Sequence, residues 1–159
     1  MKIILKVLLV LLLCYICFAL YIKHQVEKSP MLDFNTMALK TLDGQSFSLN
    51  SDKPKVVNIW ATWCAPCIKE FPAFQSTYNT YNEKVDFVMI SDETPTKIQN
   101  WTSKNDYTFN FVTSENRFGT RPVTYFIQKD GHIISRKIGG LSEKNLKEGV
   151  SQLLENQTK

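Results

Sequence analysis

The chain predicts an α/β fold: a central mixed β-sheet flanked by helices on both faces, with an N-terminal β-hairpin extension and an N-terminal transmembrane helix. Three observations point there. Short β-rich runs alternate with longer helical stretches, two Asp-Gly turns mark hairpins, and the first ~25 residues are almost all apolar while the rest has ordinary globular composition. Of 159 residues, about 130 remain beyond the apolar segment, the usual size of one domain with one core.

The apolar run extends from Val7 to Ile22, with Lys2 and Lys6 before it and Lys23 and His24 after it. With Ile3 to Leu5 it reaches ~20 residues, enough to cross a bilayer. Lys6 lies near one end, where its stem can snorkel to the headgroups. The basic end predicts a cytoplasmic N-terminus and an exported domain. Residues 1–23 are therefore read as a retained anchor, 24–33 as a polar linker ending near Pro30, and 34–157 as the folded domain. The rival reading is a cleaved signal peptide, for which Cys17-Phe18-Ala19 offers small residues at a cleavage site. Bulky residues before Cys14 and Cys17 disfavour lipid attachment.

Phe34 to Leu49 reads as a hairpin turning at Asp43-Gly44, with Phe47 and Leu49 alternating with polar neighbours. Val56 to Trp60 reads as a central strand. A helix from Pro66 to Tyr81 follows, with Pro66 in its first turn and Pro72 kinking it. Val85 to Ile90 is the next strand, Thr96 to Asn105 a helix capped by Thr94 or Thr96, and Phe109 to Val112 a short strand. Val123 to Gln128 and Ile133 to Ile138 form a second hairpin through Asp130-Gly131. Ser142 to Asn156 closes the chain as a helix, with Ser142 as cap and Leu146, Val150, Leu153 and Leu154 on one face.

Charge excludes little but is informative. Nineteen basic and 15 acidic residues give a net charge of +4 without a basic stripe, so no nucleic-acid partner is expected. The chemistry concentrates in Trp63-Cys64-Ala65-Pro66-Cys67, between a predicted buried strand and a helix, the context that makes a C-x-x-C pair credible as a redox motif. At the first helical turn Cys64 meets unpaired N–H groups and the positive end of the helix dipole, which favour its thiolate. Cys67, one turn further in, stays protonated longer, so Cys64 attacks and Cys67 resolves.

Blander readings of the pair are a structural staple, a metal ligand and a peroxidatic cysteine. A staple this short gains little loop entropy. Zinc needs four ligands, and His24 and His132 show no matching spacing, so no metal is expected. A peroxidatic cysteine wants a threonine three residues earlier, where Ala61 stands.

The stretch Asn58-Ile59-Trp60-Ala61-Thr62-Trp63-Cys64-Ala65-Pro66-Cys67-Ile68-Lys69-Glu70-Phe71-Pro72 resembles the active-site segment of the TlpA/ResA-like thioredoxins, with weaker similarity over residues 121–139. That resemblance implies a thioredoxin fold and a membrane-anchored, extracytoplasmic (periplasmic-side) thiol–disulfide oxidoreductase, with a part in cytochrome c maturation as one family role. It implies protein thiol and disulfide clients and no cofactor beyond the Cys64–Cys67 disulfide. Reduction is the expected direction, because in an oxidising compartment an anchored dithiol is most useful as a reductant fed by a membrane electron donor; an oxidase or isomerase is the rival within the class. The resemblance further implies that Cys64 is the nucleophile and Cys67 the resolving thiol, that Glu70 tunes their ionisation, that Pro122 is a cis-proline facing the disulfide, and that Asn58 replaces the buried carboxylate of thioredoxin and cannot act as a base. Trp63, Ala65, Pro66 and Arg121 then border the client groove. Without the resemblance, Glu70 is a solvated residue early in a helix, Pro122 a trans proline at a strand start, and Trp60 and Trp63 are packing residues.

Arg121 departs from the small or aliphatic residue usual in that family, and the stretch from Phe111 to Arg121 is shorter than is common. Arg121 is expected at the rim, where its charge would favour the Cys64 thiolate and acidic clients unless it pairs with Glu70 or points to solvent. A second C-x-x-C, Cys14 and Cys17, lies in the membrane segment and reads as apolar filler. His132 follows a turn and is expected to be exposed. The reading from another class is a non-catalytic module, an apocytochrome or haem chaperone that keeps the fold.

Overall fold

The computed structural model describes residues 2–27, 31–34 and 36–156. Two compact units divide at Leu32/Asp33. The first holds α1 (Lys2–Glu27), in which Ile4–Ile22 is apolar and long enough to cross a membrane. The helix continues four residues beyond Lys23, into the stretch read as linker. Nothing between Lys23 and Glu27 breaks a helix, and polarity alone does not end one. Pro30 and Gln157, two of the expected boundaries, lie outside the described residues. Cys14 and Cys17 are free and exposed on α1.

The second unit is a seven-stranded sheet in the order β2-β1-β5-β4-β3-β6-β7. Its strands are β1 (Leu39–Thr41), β2 (Ser46–Phe47), β3 (Lys55–Ile59), β4 (Asp86–Ser91), β5 (Asn110–Ser114), β6 (Val123–Ile127) and β7 (Ile133–Ile138). Its helices are α2 (Ala65–Tyr81), α3 (Pro95–Thr102) and α4 (Glu143–Glu155). β3 is parallel to β4 and antiparallel to β6, and every residue in it is buried. A strand covered on both faces reads as a continuous apolar run, which Val56 to Trp60 nearly is.

Side-chain alternation sorts the sheet. Val56, Phe87, Met89 and Phe126 share one face, with Trp60 just beyond β3. Phe71 and Phe74 of α2, Ile98 of α3, and Leu146, Val150 and Leu153 of α4 pack in the same cluster. Trp60 sits 5.0 Å from both Phe71 and Trp101, ring centre to ring centre. Each buried aromatic of this size contributes roughly 1.5–3 kcal/mol by leaving water.

The sequence predicts helices on both faces; in the described domain all three lie on this one. The reason is strand order. The chain steps from β3 to β4 to β5 in one direction, and right-handed crossovers then place α2 and α3 on the same side. On the opposite face Val57, Ile59, Val88, Ile90 and Tyr125 are also buried, and the Phe34 ring meets Tyr125 edge-on at 5.0 Å.

Both Asp-Gly turns form where predicted, with Gly44 and Gly131 each at φ 88°, a conformation that costs glycine little. The first hairpin is shorter than expected, spanning Leu39 to Phe47. α2 runs through Pro72 as one helix. Thr94 occupies the N-cap of α3 without a side-chain bond, whereas the Ser142 hydroxyl accepts the Asn145 N–H at the start of α4.

Candidate active site

The site forms at the sheet edge where β3 ends. Cys64 is the N-cap of α2, its carbonyl accepting the Ile68 N–H at 3.1 Å. A disulfide joins it to Cys67, with the two Cα atoms 5.3 Å apart. Cys64 is 5% exposed and Cys67 fully buried, the gradient that the spacing predicts. Ala65 and Pro66 are exposed beside the disulfide, and Trp63 is 67% exposed. Trp60, by contrast, is core.

The loop into Cys64 is held from β4. Both oxygens of Glu93 accept from Thr62, one from its N–H at 2.6 Å and one from its hydroxyl at 2.9 Å. Sequence reasoning missed Glu93 and its neighbour Asp92. The available signal is their position just past the carboxyl end of a central parallel strand, where ligand and catalytic groups gather in α/β sheets.

Pro122 opens β6. Because Ile59 pairs with Val123, Pro122 lies at the same sheet edge as the cysteine loop. The Arg121–Pro122 bond is cis.

Glu70 lies one turn beyond Cys67 on the buried side of α2 and is 4% exposed, not solvated. Helical spacing carries this signal: Cys67, Glu70, Phe71 and Phe74 share one face. Its Oε1 accepts the Asn58 Nδ2–H at 2.9 Å and its Oε2 the Leu141 N–H at 2.8 Å. Burial pushes its pKa up to about 7, against the downward pull of the Leu141 and Asn58 donors. Asn58 also donates to the Thr124 hydroxyl at 3.0 Å, while its own buried Oδ1 has no partner among the described residues.

Arg121 differs from expectation. It neither reaches Glu70 nor points to solvent. Its Nη2 pairs with Asp92, its Nη1 donates to the Phe118 carbonyl at 2.7 Å, and its guanidinium lies 5.2 Å from the Trp63 ring centre. Asp92 neutralises the charge expected to act on Cys64. Burial works against the Asp92 carboxylate, but the Phe118 N–H and Arg121 outweigh it and hold its pKa below the ordinary value. His132 is exposed after the Asp130-Gly131 turn, as expected.

A C-x-x-C disulfide at a helix N-terminus, with a cis-proline heading the adjacent strand, makes this domain a thioredoxin-fold thiol–disulfide oxidoreductase acting on protein thiols and disulfides. Solved structures agree on the fold: StoA from Bacillus subtilis superposes with a TM-score of 0.60 at 26% identity, covering 71% of this chain and 94% of StoA. DsbF of MTB superposes with a TM-score of 0.66 at 24% identity, covering 76% of this chain and 96% of its own. The chain belongs to the AhpC/TSA family, which matches residues 30–136, and within it to the ResA-like group. The thiol-disulfide oxidoreductase ResA of one Bacillus cereus strain is 29% identical, the match covering 95% of each chain. ResA of a second, Bacillus cereus strain ATCC 10987 / NRS 248, is 30% identical over 123 residues, 70% of this chain and 71% of that one.

Proposed function

We propose that this enzyme is a reductant of disulfides in exported proteins, anchored by α1 as a single pass with its domain on the extracytoplasmic side, and re-reduced by a dithiol donor in the membrane. Apocytochrome c is one candidate client. The observation that carries the reading is the Cys64–Cys67 disulfide on the first turn of α2, with the buried Glu70 carboxyl one turn beyond. In an oxidising compartment an anchored dithiol is most useful as a source of electrons.

The Cys64 thiolate attacks one sulfur of a client disulfide. A Cys64–client disulfide forms and one client thiolate leaves. Cys67, deprotonated, then attacks the Cys64 sulfur, the second client thiolate leaves, and the Cys64–Cys67 disulfide forms, so two electrons pass to the client. Cys67 is fully buried and needs a proton acceptor for that second step. Glu70 suits it, with a pKa near working pH. Rotating the Asn58 amide would set its unpartnered Oδ1 towards Glu70 to accept from the protonated carboxyl, while the present orientation donates to the carboxylate. Pro122 and Arg121 offer backbone beside the disulfide, and Trp63, Ala65 and Pro66 form the surface against which a client strand lies.

The test is Cys67→Ala in cells. It should accumulate mixed disulfides between Cys64 and exported proteins, dissolved by dithiothreitol. If only cytoplasmic proteins are trapped, the orientation is wrong; if nothing is trapped, the reductase reading is wrong.

A further inference from the structure

Asp92 follows β4, Arg121 precedes the cis-proline, and Trp63 precedes Cys64; three separate segments meet at one ion pair. Both side chains of the pair are nearly sequestered, at 7% and 8% exposure. Asp92 also accepts the Phe118 N–H at 3.1 Å, and Arg121 donates to the Phe118 carbonyl, so the pair and Phe118 close a ring of hydrogen bonds. The guanidinium lies over the Trp63 ring, while Trp63 is mostly exposed.

We propose that Asp92 is a specificity-determining residue: it cancels Arg121, so that the surface beside Trp63 and Cys64 does not distinguish acidic from basic client segments. This rests on the reading of the site as a disulfide-exchange centre. Arginine stays protonated at any working pH, so Arg121 without Asp92 remains a cation beside the client path. The nearest other anion in sequence, Glu93, is engaged through both oxygens by Thr62. A clamp that only tied loops together would alter rates for all clients alike. A charge-masking clamp alters the choice between them.

The experiment uses the full-length protein and two disulfide-bonded peptides, identical except that Asp or Lys flanks the cysteines, and reads the ratio of kcat/KM for the acidic over the basic peptide. The wild-type ratio should be near unity. Asp92→Asn, which keeps the shape and an acceptor for Arg121 while giving up the bond from the Phe118 N–H, should raise it by roughly tenfold, about 1.4 kcal/mol, and high salt should shrink that preference. Arg121→Gln, leaving Asp92 without its counter-ion, should move the ratio the other way. The double variant should return towards unity. Should Asp92→Asn not fold, Arg121→Gln alone decides the matter. An active wild type with the ratio unmoved in a folded variant overturns this proposal alone, as does a double variant that behaves like Asp92→Asn. A wild type that exchanges disulfides with neither peptide overturns the reading of the site and the proposal with it.

Discussion

Asn58 Nδ2 donates to Glu70 Oε1 across 2.9 Å, joining the central strand β3 to the helix that carries both cysteines. The bond puts an amide where a second carboxylate would leave two acids sharing one buried site, and it makes Glu70 the ionisable group on the buried flank of the redox pair.

Glu70 should give the protein a distinctive pH dependence. Its native pKa of about 7 lies above the ordinary 4.5. The native state therefore binds the proton more tightly than the unfolded one. The resulting stability is complete below the unfolded value and is lost as pH rises through the native one. Stability of the oxidised protein should fall by roughly 3 kcal/mol across that window. Glu70→Gln should flatten the curve. Urea denaturation at several pH values checks this, and an equally steep fall in Glu70→Gln would assign the dependence to another group.

Asn58→Asp should destabilise the oxidised protein at pH 8 by about 2 kcal/mol or more, because two buried carboxylates cannot both ionise cheaply. At pH 5, where one proton can be shared, the penalty should be much smaller. Equal penalties at the two pH values would mean that Glu70 is not the partner that matters.

Gly149 tests the packing of α4 on the sheet. Glycine inside a helix usually costs about 1 kcal/mol relative to alanine. A Cβ at Gly149, however, would meet the buried Phe126 ring at 2.3 Å. Gly149→Ala should therefore destabilise the domain, by about 1–3 kcal/mol. A higher melting temperature in this variant would show that Phe126 can yield.

The two Asp-Gly turns, the Ser142 cap and the cysteine turn were legible because each is a local rule read over a few residues. The one-sided placement of the helices was not, because it depends on strand order, which no local pattern encodes. The same holds for the Asp92–Arg121 pair, whose members are 29 positions apart. An isolated arginine beside a predicted cis-proline looks like a free cation until the fold brings it an anion. The burial of Glu70 was readable in part. Its helical spacing from Cys67 and Phe74 marks an inward position, but its partners Asn58 and Leu141 come from β3 and from the turn after β7.

The anchoring role proposed for α1 is open to direct observation. The mature chain isolated from membranes should retain Val7 to Ile22 and resist extraction with alkaline carbonate. An N-terminal sequence starting at or near Leu20 would instead define a secreted, soluble enzyme.

The division of labour between the cysteines is tested most directly by alkylating the reduced protein and locating the label by mass spectrometry over a range of pH. Cys64, at the N-terminus of α2 and the more exposed of the two, should be modified first and at a pH below that of an ordinary thiol. Cys67 should react only after unfolding or at much higher pH. Preferential labelling of Cys67, with Cys64 inert, would contradict the account.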